Sequence, residues 1–90
     1  MLNQVVIVGR INSMENGELV VAVPRSFKNE NGEYDTDYID VRVSKSIKEN
    51  ISTYCEVGDL VAVKGRLESG INKMFVIAEK VTFLSSRKKD

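Results

Sequence analysis

The sequence predicts an all-β fold, a five-stranded Greek-key barrel with one short helix between strands 3 and 4. Three observations carry that expectation. Asp37 to Val43 and Asp59 to Leu67 alternate apolar and polar residues with the period of a half-buried strand. Between them, Ile47, Ile51 and Tyr54 recur at helical spacing. Clusters of turn-forming residues separate the Val- and Ile-rich runs on either side.

Asn3 to Ile11 reads as a long first strand, with Gly9 marking a bend or bulge. Asn12 to Gly17 reads as a turn, and Glu18 to Val23 as the second strand of a hairpin, closed by Pro24, whose nitrogen cannot serve a continuing ladder. Arg25 to Thr36 is polar, with Asn29, Glu30, Asn31 and Gly32 at its centre, and is expected to be a long loop. Long loops in small domains usually carry function. In the third strand, Asp37 to Val43, Ile39, Val41 and Val43 point one way, and Tyr38, Asp40 and Arg42 the other. Ser46 and Glu49 have the spacing of a capping box for the helix, which is expected to end near Gly58. In the fourth strand Val61, Val63, Gly65 and Leu67 share one face, while Ala62, Lys64 and Arg66 give the other a basic character. Glu68 to Asn72 is expected to turn the chain into a last strand, Lys73 to Leu84. A single helix between strands 3 and 4 of a five-stranded barrel is the OB-fold arrangement.

Ninety residues with 42% apolar content make one ordinary domain. A chain this short buries a modest share of its surface, so a homo-oligomer is expected. The longest apolar runs, Val5–Val8 and Leu19–Val23, are far shorter than the roughly 20 residues of a membrane span. The first residues lack the layout of a secretory signal, so a cytoplasmic location without membrane attachment is expected. Cys55 is the only cysteine and histidine is absent, which excludes an intramolecular disulfide and the common zinc clusters. Cys55 is expected to be a small hydrophobe at the helix end. Lysine and arginine together number 13, as do aspartate and glutamate. Such balance argues against a nucleic-acid partner unless the charges segregate onto different faces, because binding responds to local potential.

Four stretches, LNQVVIVGRI, VAVPRSFKNENGEYDTDYIDV, YCEVGDLVAVKGRL and VIAEKVTFLSS, resemble in order and spacing the bacterial single-stranded DNA-binding proteins. The resemblance implies an OB-fold domain over residues 1–86 followed by a short charged tail, 87–90. It also implies assembly as a tetramer or dimer through the first strand, and wrapping of single-stranded DNA without catalysis. Phe27 falls where the family places a base-stacking aromatic after the second strand, and Tyr38 where it places one on the outward face of the third. An aromatic ring offers a face to any base, worth about 1–3 kcal/mol per stacked base. The competing readings are that Phe27 tucks under its own loop and Tyr38 covers the barrel. Tyr34 either stacks or anchors the loop.

Against the family pattern, Ser44 stands where a further stacking aromatic is expected, and the last hairpin is shortened and has lost its ring. Asp40 places a negative charge beside Tyr38, to be offset by Arg42 or a neighbouring lysine. The family's linker and acidic tail are replaced by a basic end with Arg87, Lys88 and Lys89, so recruitment of partners through such a tail is not expected. The segment GINKMFVIAEKVTFL also resembles the last hairpin of PriB-type primosomal proteins, which implies, as the alternative, a barrel that binds both single-stranded DNA and replication or restart proteins.

The cations expected to follow a DNA backbone are Arg10, Arg25, Lys28, Arg42, Lys64, Arg66 and Lys73, on outward positions or flanking loops. If roughly four to six of them neutralise phosphates, log affinity falls with log salt by about 0.7 per contact. Lys45 and Lys48 read as solubilising charges at the helix start. Glu30, Glu33, Asp35 and Asp37 read as a soluble acidic turn, and no metal or cofactor is expected. Nothing resembles a nucleophile–base pair or a phosphate-cradling glycine loop, so no enzyme is expected. The sequence therefore points to sequence-independent single-stranded DNA binding. The rival is an oligomeric protein–protein adaptor that has lost it.

Overall fold

A computed structural model describes residues 2–15 and 18–85. The elements are β1 (Val5–Glu15), β2 (Glu18–Lys28), β3 (Tyr34–Arg42), α1 (Lys45–Tyr54), β4 (Leu60–Gly70) and β5 (Lys73–Phe83). The strands close into a barrel in the order β1-β2-β3-β5-β4, with α1 between β3 and β4 as the sequence predicts. All pairings are antiparallel except the short parallel contact of β3 with β5 at Val41↔Val76 and Arg42↔Ile77. Inward residues of every strand meet in one core, including Ile11, Val21, Val41, Val63 and Val76, with Ile51 of α1 closing one end. Cys55 is buried there, the small hydrophobe expected at the helix end.

Several boundaries differ from those predicted, each for a local reason. β1 continues through Asn12 to Glu15 where a turn was expected, because the bulge falls at Asn12, between Ile11↔Val21 and Ser13↔Val20, and pairing then resumes. Gly9 instead serves close approach: a Cβ there would fall on the Ala22 carbonyl oxygen. β2 does not close at Pro24 but runs to Lys28. Past Arg10↔Ala22 it pairs, among the described residues, with β3 alone, and proline is tolerated on such an edge. The expected loop from Arg25 to Thr36 is therefore a hairpin arm whose connection is only residues 29–33. The helix cap is Ser44 rather than Ser46: the Ser44 hydroxyl accepts from the Ile47 amide at 3.3 Å. The position read as a missing aromatic thus has a capping role. The last turn is Ile71–Asn72, with Asn72 at φ +60°, because β4 and β5 pair out to Gly70↔Lys73. An extra residue, Glu79, bulges β5 opposite Gly65, and a Cβ on Gly65 would fall on the Ile77 carbonyl oxygen.

Beyond the start of β1, the Asn3 side chain extends the β1–β4 ladder. Its amide donates to the Leu67 carbonyl and its oxygen accepts from the Leu67 amide, both at 2.9 Å. No helix among the described residues is long and apolar enough to cross a membrane. Arg87, Lys88 and Lys89 lie outside the described residues.

Candidate nucleic-acid interface

The outward positions of three strands line up across the barrel: Arg10 of β1 opposes Ala22 of β2, and Ala22 opposes Tyr38 of β3. Cross-strand neighbours share a face, so a methyl group separates a guanidinium from a phenol ring. The small side chain at Ala22 leaves an open depression of about 480 Å³, also lined by Val8, Pro24 and Thr36. Arg10 is held at its rim by donating to the Gly58 carbonyl at 3.0 Å. Tyr38 is 64% exposed, and a second depression of about 380 Å³ lies on its other side, lined by Ile39, Leu67, Met74 and Phe75. The ring therefore divides two hollows.

The β2–β3 arm carries the other two rings. Tyr34 and Tyr38 lie four residues apart on one strand and so point to the same side, roughly 13 Å apart along it. Lys28 opposes Tyr34, its ammonium 5.9 Å from the ring centre. Phe27 is 67% exposed, so it is not folded under its own loop. At the tip, the Asn29 oxygen accepts from the Asn31 and Glu33 amides at 2.9 and 3.0 Å, an Asx turn that closes the connection.

Three of the seven candidate cations are matched by carboxylates. Arg25 grips Asp37 with two nitrogens, Nη2 to Oδ1 at 2.9 Å and Nε to Oδ2 at 3.1 Å, with Asp35 3.9 Å away. These hydrogen bonds raise the Arg25 pKa and hold the Asp37 carboxyl below its ordinary value. Lys73 reaches Asp40 at 3.2 Å, the offset anticipated for that charge, and Arg66 reaches Glu68 at 2.6 Å. Arg10, Lys28, Arg42 and Lys64 have no carboxylate ion pair among the described residues. Arg42 instead lies over the Phe75 ring.

Lys64 stands away from this group, opposite Val6 on one side and Lys80 on the other. Directly opposed like charges repel unless an anion sits between them. Sequence reasoning missed Lys80, because its register against Lys64 depends on the bulge at Glu79. The geometry thus brings Arg10, Tyr38, Tyr34 and Lys28 onto one surface. Among the described residues no cluster of acidic or cysteine side chains is suited to a metal ion.

The single-strand binding protein family model matches residues 2–76. Single-stranded DNA-binding protein B of Bacillus subtilis is 32% identical over 109 aligned positions, covering 100% of this chain and 96% of its own length. Single-stranded DNA-binding protein 2 of Staphylococcus aureus is 38% identical over 79 positions, 77% of this chain, which spans only 57% of that relative. Among solved structures, the Plasmodium falciparum SSB in complex with ssDNA superposes with a TM-score of 0.72 at 18% identity, covering 94% of this chain and 96% of that one. The N-terminal domain of PriB from Thermoanaerobacter tencongensis, solved as a dimer, gives 0.64 at 24% identity, covering 92% and 97%, a likeness of fold.

Proposed function

The chain belongs to the single-strand binding protein family, and from that premise we propose that it binds single-stranded DNA without reading sequence and without catalysis, in replication, recombination or repair. One observation carries the mechanism: the row Arg10–Ala22–Tyr38, continued by Tyr34 and Lys28 on the arm, sets exposed rings beside unneutralised cations. Bases stack on Tyr38, Phe27 and Tyr34, while Arg10, Lys28, Arg42 and Lys64 meet phosphates. Arg25, Arg66 and Lys73 contribute less charge, since each already faces a carboxylate.

The working form is a cytoplasmic homo-oligomer assembled through β1. Leu2 and Val6 leave exposed apolar surface on and before that strand, which a second copy would cover. Light scattering after size exclusion reads the assembly, and a monomer at micromolar concentration overturns this part of the reading.

Fluorescence anisotropy with labelled oligo-dT at low salt tests the binding itself. Replacing Phe27 and Tyr38 together by alanine removes two stacking faces, and affinity falls at least about thirtyfold. Unchanged affinity overturns the stacking mechanism. No binding by the unmodified protein at low salt leaves the barrel as an oligomeric adaptor.

A further inference from the structure

The alternation along β3 separates two kinds of residue on the arm. Tyr34, Thr36 and Tyr38 share the outward side, and Thr36 and Tyr38 both line the trough beside Arg10. Asp35 and Asp37 occupy the reverse side, in line with the inward residues Ile39 and Val41. Asp37 is accordingly the cross-strand partner of Val23, which packs against the core. Arg25 is bound to this reverse side by its fork on Asp37.

The fork lies where the backbone ladder is interrupted. Between Pro24↔Thr36 and Lys28↔Tyr34, three residues of β2 face the single residue Asp35 of β3, so Arg25, Ser26 and Phe27 have no register partners of their own. Two side-chain ties flank this gap. Asn29 holds the tip, its amide donating to Asp35 at 3.0 Å, and Arg25 holds the base. A planar guanidinium on a carboxylate fixes orientation as well as distance, because two parallel bonds define one geometry. Phe27 and Lys28 lie between those ties.

We propose that Arg25 is a positioning residue of the interface and not a phosphate ligand: through Asp37 it holds the arm so that Phe27, Lys28 and Tyr34 meet the nucleic acid preassembled. The inference rests on the single-stranded DNA-binding reading and adds to it which charges act directly. Ordering these side chains before binding lowers the entropy that binding must supply.

A charge-removing substitution separates the two roles, because they predict opposite signs. If charge alone matters, Asp37→Asn removes a repulsive carboxylate, frees a cation, and tightens oligo-dT binding with a steeper salt dependence. If Arg25 acts through Asp37, the same substitution weakens binding by about three- to tenfold with an unchanged salt slope. Exchanging the pair, Arg25→Asp with Asp37→Arg, restores affinity to within about twofold. Arg25→Lys, which keeps the charge but lacks the fork, behaves like Asp37→Asn and supplies the same reading if that variant is less stable. Tighter or unchanged binding by Asp37→Asn, or a slope made shallower by about 0.7 in Arg25→Gln, overturns the inference while leaving DNA binding intact. Absence of oligo-dT binding by the unmodified protein overturns the underlying reading, so the two failures are distinct.

Discussion

The guanidinium carbon of Arg42 sits 3.9 Å from the centre of the Phe75 ring, and Phe75 is 4% exposed beneath it. Arginine therefore acts here as a lid on an aromatic residue as well as a surface cation. A stacked guanidinium contributes about 0.5–2 kcal/mol, more as the pair is desolvated. Arg42→Ala is expected to lower the melting temperature by about 4–8 °C, taking about 1 kcal/mol for a domain of this size. Arg42→Lys recovers part of that loss. A melting temperature unchanged in Arg42→Ala, measured by circular dichroism, shows that Phe75 is held without its cover.

Asp40 and Asp37 flank Tyr38 in sequence, yet opposite outcomes are expected for their neutralisation. Asp40 lies on the outward face and holds Lys73 at 3.2 Å, so Asp40→Asn releases a cation onto the proposed DNA surface. Oligo-dT affinity rises and the salt slope steepens by up to about 0.7. Weaker binding by Asp40→Asn in a salt titration counts against placing DNA along this wall.

Only cations without a carboxylate partner should set the salt dependence. With Arg10, Lys28, Arg42 and Lys64 as contacts, the slope of log affinity against log salt is about −3 per chain. Lys28→Gln and Lys64→Gln each make it shallower by about 0.7, whereas Arg66→Gln leaves it unchanged. Equal changes from all three variants mean that the Arg66–Glu68 pair opens on binding.

The Asp37 carboxyl lies below its ordinary value of 3.8, first through the Arg25 hydrogen bonds and then through the charge of Arg25. A carboxyl depressed in the folded state contributes stability that is complete above the unfolded value and is lost as pH falls through the folded one. The arm is therefore fully tied at neutral pH and loosens only below 3.8. Amide protection at the paired residues Lys28 and Tyr34, taken relative to free-chain exchange at each pH, is expected to fall there, and in Arg25→Gln to be low already at pH 7. Unchanged protection in that variant shows that the fork does not order the arm.

Gly65 approaches β5 so closely that any side chain meets the Ile77 carbonyl, at the point where Glu79 is extruded. Gly65→Ala forces the backbone apart and costs about 3 kcal/mol, at the upper end for overpacking. Because Lys80 reaches its place opposite Lys64 through this bulge, the same variant is expected to weaken oligo-dT binding. Chemical denaturation and anisotropy read the two effects separately.

Much of the barrel was legible in the sequence because burial imposes a period of two. The alternations through Ile39–Val43 and Val61–Gly65 named the inward faces correctly, and the spacing of Ile47 and Ile51 located the helix. Strand ends were less legible. The same rhythm continues through Tyr34–Thr36 and Asn12–Glu15, but polar residues occupy both faces there, so composition suggested loop where backbone pairing persists. Tyr34, Thr36 and Tyr38 were available as one face once β3 was known to begin at Tyr34.

By itself the sequence determined the fold class, the place of the helix, the inward core and the exposure of Tyr38. These follow from local periodicity and from the removal of apolar side chains from water. The tertiary structure alone decided which charges remain free: Arg25 turned to Asp37, Lys73 to Asp40, and Lys64 opposed to Lys80. Such pairs are set by cross-strand register, and each unpaired residue at Asn12, Glu79 or within Arg25–Phe27 shifts that register without altering the apolar pattern that made the barrel readable.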